Sequence, residues 1–130
     1  MPSNGSITKE EIKILIDYLE FFQNTDSIFF TVEKGYWVES SEVSEFRKQL
    51  SDTNFLIVFD WVQWISDNKE FKDINNDLYS EIMNADLETL RKLMTSYIRG
   101  DRFNEGLFIN VILKGHVTNI LLRLQELSRS

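Results

Sequence analysis

Between Asp86 and Ser128 the apolar residues recur at helical spacing, broken only at Gly100-Asp101 and at Gly115. This third of the chain is therefore committed to consecutive helices folded back on one another. Leu87, Leu90, Met94, Tyr97 and Ile98 form one stripe, and Val117, Ile120, Leu121, Leu124 and Leu127 form another. Asp86 is a good N-cap, Gly100 supplies a C′ residue, and Asp101 caps a helix from Arg102 to Lys114 that ends at Gly115. The last helix runs from His116 to Ser128. Such short breaks predict a C-terminal antiparallel three-helix unit.

Upstream the signals are more mixed. Thr8 and Glu11 make a Thr-x-x-Glu capping box ahead of Ile12, Leu15, Ile16, Leu19 and Phe22, which predicts one helix from Lys9 to Gln23. In "SIFFTVEKGYWVES", β-branched and aromatic residues flank the turn "EKG", the one stretch suited to a short N-terminal β-hairpin. A helix starting at Ser41 then carries Val43, Phe46 and Leu50 and ends near "SDTN". The run "FLIVF", Phe55 to Phe59, reads equally as a buried strand or as an extended lead into the next helix. Asp60 caps that helix and sets Trp61, Trp64 and Ile65 on one side of it. Residues 67–83 read as a loop and a short helix. No proline follows Pro2 and nothing marks a linker. The chain is read as a mainly α, compact multi-helix fold, a single domain over 1–130 with a flexible start at 1–7.

Composition limits the function classes. With 10 Phe, 4 Tyr and 3 Trp the chain is far too aromatic to be disordered. The absence of Cys excludes disulfides, thiolate metal sites and a cysteine nucleophile. The start "MPSNGSITKEE" has neither a basic nor an apolar segment of a leader, and no apolar run approaches the ~20 residues that span a bilayer, so a soluble cytoplasmic protein with no membrane partner is expected. The net charge of -7 is uneven. Residues 1–85 hold 16 acidic and 7 basic residues, a balance of -9, while 86–130 hold 5 and 7, a balance of +2. An acidic surface repels nucleic acid, and none is expected as a partner.

Candidate chemistry centres on "YIRGDRFNEG", Tyr97 to Gly106. If Arg102 to Lys114 is a largely buried helix, Glu105 lies near Ile112 in angle and needs a cationic partner, for which Arg102 and Arg99 are at hand. The simpler reading is a salt bridge fixing the helix corner. The sharper one is a pocket with Glu105 as general base and Arg99 or Arg102 holding an anion, with Asp60 and His116 as further catalytic candidates and Trp61 and Trp64 as ligand-binding surfaces. Trp61 and Trp64 are more simply core, Asp60 more simply a cap, and His116, the single histidine, more simply a packing residue. "RGD" at 99–101 is better used as helix terminator and N-cap than as an adhesion motif. No calcium loop, phosphate loop, dinucleotide fingerprint or Glu-x-x-His pair occurs, so neither metal nor cofactor is expected.

The stretches "FDWVQW", "ADLETLRKLMTSYIRGDRFNEG" and "GHVTNILLRLQEL" resemble the signature blocks of the bacterial family known as domain of unknown function 6508. The likeness is best from Phe59 to Leu127 and implies no particular activity. Members of that family often carry His directly after the Glu-Gly pair, where Leu107 stands in this chain. The expectation from all of this is a non-enzymatic domain that binds a protein partner, itself included as a helical homodimer. The alternative is a small-molecule or anion-binding protein, or an enzyme, built on Glu105, Arg99, Arg102 and Asp60.

Overall fold

The computed structural model describes residues 6–129. Of the start expected to be flexible, residues 1–5 lie outside the described residues, while Ile7 packs against the core. The expected first helix is two helices, α1 (Lys9–Ile16) and α2 (Leu19–Gln23). The capping box of Thr8 and Glu11 forms at the start of α1. At its end the Tyr18 N–H donates to the Leu15 carbonyl, a tighter i, i-3 bond that turns the chain. That break lets Tyr18 and Phe22 both meet Phe46, with ring centroids 5.1 and 4.9 Å away.

The hairpin forms as read, with β1 (Phe30–Glu33) antiparallel to β2 (Tyr36–Glu39). Lys34 and Gly35 both take positive φ, 52° and 83°, the geometry of the two-residue turn whose twist matches paired strands. Next comes α3 (Ser41–Asp52), starting where expected, with Ser40 as its N-cap and Val43, Phe46 and Leu50 buried. Asn54 ends it in the left-handed region at φ 60°, and the Phe55 N–H returns to the Leu50 carbonyl.

The run from Phe55 to Phe59 is neither strand nor helix and bends at Leu56 and Phe59. The Phe55 and Leu56 N–H groups both turn back to the Leu50 carbonyl, and side chains of a later helix take up further backbone groups. Arg91 donates to the carbonyls of Asn54 (2.6 Å) and Phe55 (3.2 Å), and the Ile57 N–H donates to the Thr95 hydroxyl (3.1 Å). Then come α4 (Trp61–Asp67), a 3-10 turn at Lys69–Phe71, α5 (Tyr79–Met83), α6 (Leu87–Gly100), α7 (Leu107–Leu113) and α8 (His116–Ser128).

Two details of the C-terminal unit differ from expectation. Gly100 is the last helical residue of α6, not a left-handed C′ residue; its bare Cα admits Leu107, which a Cβ there would meet at 2.9 Å. Residues Arg102 to Gly106 are turns, not helix, and the helix expected from Arg102 starts at Leu107. The cause is Gly106, whose φ of 88° starts α7 from the left-handed region. Between α7 and α8 the chain bends by 66° at Lys114 and Gly115. The final helix, α8, packs against α1, α2, α5, α6 and α7 and buries Val117, Ile120, Leu121 and Leu124 in one continuous core. No single helix among the described residues is long and apolar enough to cross a membrane.

Asp86 caps α6 by accepting from the Thr89 N–H at 2.9 Å. Hydrogen bonding from the Thr89 side chain, then from its backbone N–H, holds this carboxyl below its ordinary value of 3.8. The Asp86→Ala variant should therefore lose about 1 kcal/mol in urea unfolding at neutral pH. Because the folded pKa is lowered, the difference between native and variant should be full above the ordinary value and should shrink as the pH falls through the lowered one.

Candidate functional site

Asp101 stands at the corner between α6 and α7, where its two carboxylate oxygens do different work. Oδ1 accepts the Phe108 N–H at 2.9 Å, capping α7 from outside the turn segment. Oδ2 accepts from Arg47 Nη2, also at 2.9 Å. Arg47 projects from α3 and reaches the hairpin as well, donating from Nε to Glu39 Oε2 at 2.9 Å. Its guanidinium carbon lies 4.6 Å from the centre of the Phe108 ring. The three charged side chains are between a fifth and a quarter exposed, so water screens them only in part. One arginine thus ties the hairpin, α3 and the α6–α7 corner together.

The ion pair expected at this corner does not form. Glu105 is exposed in the turn segment rather than buried in a helix, because α7 begins two residues later. No hydrogen bond or ion pair joins it to Arg99 or Arg102 among the described residues. Arg99 is half-buried in the last turn of α6 and Arg102 is exposed beside it. Asp60 caps α4, accepting the Gln63 N–H at 3.0 Å, and makes no ion pair with either arginine. Among the described residues no side-chain hydrogen bond or ion pair links any two of the four.

The tryptophans separate. Trp64 packs on the core and stacks on Phe71 at 5.7 Å, whereas Trp61 stacks at 6.3 Å on Phe103, which is 81% exposed. Trp61 lines a half-open pocket of about 270 Å³ together with Ile65, Phe71, Tyr97 and Leu107. Behind that wall His116 is buried and its Nε2–H donates to the Ile74 carbonyl at 2.7 Å. Its ring stacks on Tyr97 at 6.3 Å. The Tyr97 hydroxyl and His116 Nδ1 are buried without a hydrogen-bond partner among the described residues, and burial pushes the Tyr97 hydroxyl pKa strongly up. No group of three His, Asp or Glu among the described residues is placed to share a metal ion.

The residues that the sequence did not single out are those of the hairpin. Pairing puts Phe30, Val32, Trp37 and Glu39 on one face and Thr31, Glu33, Tyr36 and Val38 on the other. The first face meets the body: Trp37 stacks on Phe30 at 5.0 Å and lies over Gly106, where an added Cβ would come within 3.2 Å of the indole. Phe29, at the foot of the hairpin, packs on Phe21 and Phe22. Yet Val32, Tyr36, Trp37 and Val38 remain 61, 66, 44 and 41% exposed. The adjacent Tyr36-Trp37 pair was the available signal, since alternation sends one ring to each face.

The chain belongs to the family described as "Family of unknown function (DUF6508)", whose model matches residues 7–130. No curated protein and no solved structure matches it.

Replacing Arg47 by Met should leave Glu39 and Asp101 facing each other without a cation and should cost about 1–3 kcal/mol in urea unfolding. The Tyr97→Phe variant, by contrast, removes an unpaired buried hydroxyl without changing the ring. It should unfold at an equal or higher midpoint, with a gain of up to about 1 kcal/mol.

Proposed function

We propose that this protein is a non-enzymatic, soluble cytoplasmic interaction module whose docking surface is the hairpin. The observation that carries this reading is the exposure of Val32, Tyr36, Trp37 and Val38 on a ribbon anchored at its base. An isolated two-stranded hairpin is marginal in water, and four large apolar side chains on one raise its exposed apolar area further. A binding partner that covers them offsets that cost. No third strand pairs with the ribbon among the described residues, so an extended segment can add along an edge by main-chain hydrogen bonds.

A second copy of the chain suits this surface less well. An isologous contact would set an acidic face against itself, in a chain of net charge -7. The alternative reading, a small-molecule binder, draws on the pocket beside Trp61, whose apolar walls suit a compact aromatic ligand.

A random-peptide phage library panned on the purified protein tests the choice. Enriched peptides should bind the native chain and lose at least about ten-fold in affinity for the Val32→Thr, Tyr36→Ser double variant, whose changes are confined to exposed side chains. Peptides that bind both proteins equally would remove the hairpin from the role. A thermal shift produced by small aromatic fragments and abolished by Trp61→Ala would favour the alternative.

A further inference from the structure

Beside Trp37 lie two adjoining notches, of about 330 and 310 Å³, that share Trp37, Glu105 and Gly106 as their common wall. The first is closed by Arg47, Asp101 and Ile109, the second by Gly35 and Tyr36. Each has the size of a seat for a side chain rather than for a folded element. Their charge is lopsided, because Glu39, Asp101 and Glu105 border the first notch with only Arg47 to oppose them. Arg47 is already shared between Glu39 and Asp101. Glu105 is left with no cation of its own chain among the described residues, although Arg99 and Arg102 are close in sequence.

Building on the hairpin as docking surface, we propose that the docked segment is basic: a lysine or arginine of the partner lays its stem along Trp37 and sets its cation on Glu105. A long apolar stem with a charged end matches a wall of indole and glycine backbone that leads to a carboxylate. Aromatic rings and carboxylates both favour a cation, and the exposed Tyr36 ring adds to the first effect. The excess of negative charge rejects an acidic segment or a nucleic acid, and over the whole chain it speeds encounter with a basic partner. Discrimination therefore comes from Glu105 and its aromatic neighbours, while the ribbon's edge contributes contacts that are blind to sequence.

The peptides enriched in the panning experiment provide the probe. They should carry at least one Lys or Arg, and replacing that residue by norleucine should weaken binding about ten-fold in calorimetry. The Glu105→Gln variant, changed at an exposed carboxylate, should keep its unfolding midpoint and show a similar loss for the parent peptide. It should lose little more for the norleucine peptide, since both changes remove one interaction. Raising the salt concentration should weaken the pairing of native protein with cationic peptide most, and every pairing that lacks Glu105 or the peptide cation less. If enriched peptides depend on Val32 and Tyr36 but bind equally with norleucine, the basic-segment proposal is wrong and hairpin docking stands. If no enriched peptide depends on the hairpin, or light scattering shows the same face joining two copies, the reading beneath it is wrong as well.

Discussion

The guanidinium of Arg47 is the group on which the arrangement of the surface depends. Without it the hairpin keeps the packing of Phe29 on Phe21 at its foot and of Trp37 over Gly106. Its bonds to Glu39 and Asp101 fix the second strand relative to the corner where α7 begins, and Phe108 supports the same group from below. Asp101 couples this tie to helix formation, since one oxygen holds Arg47 while the other caps α7. The charge that looked in sequence like a local pair between neighbouring residues is a long-range one, joining positions 54 residues apart.

How far the chain could be read in advance follows from how local each signal was. The capping box at Thr8, the caps at Asp60 and Asp86, the turn at Lys34-Gly35 and the apolar stripe of α6 are set by residues within four positions of one another, and all formed. The break between α1 and α2 was hidden because it answers to Phe46, a residue of another element. Phe55 to Phe59 was undecidable for the same reason: Arg91 and Thr95 settle its conformation from α6. Glu105 was misplaced by a single glycine. Gly106 is a point of close approach, and its left-handed φ also ends the turn and keeps Glu105 out of the helix.

The candidate site was legible only in outline. The region around Tyr97 to Gly106 does border the notches and the Trp61 pocket, yet its partners come from the hairpin and from α3. Nothing in the spacing of Glu39 and Arg47 announces that they meet Asp101. Pairing across a hairpin sorts its residues into two faces with certainty, but which face meets the body depends on Gly106 and Phe21, far along the chain in either direction.

The position of α8 has a consequence for how the protein is made. It comes after every helix it packs against, and α1, α2 and α5 all lean on it. During synthesis, Leu15, Leu19, Phe22 and Ile82 emerge long before the helix that helps to cover them. The early elements can form local turns and caps as they leave the ribosome, but the shared core closes only once α8 has emerged to cover it. Until then the nascent chain presents an apolar surface to whatever is near it, so the interval before α8 emerges is when chaperone protection matters most.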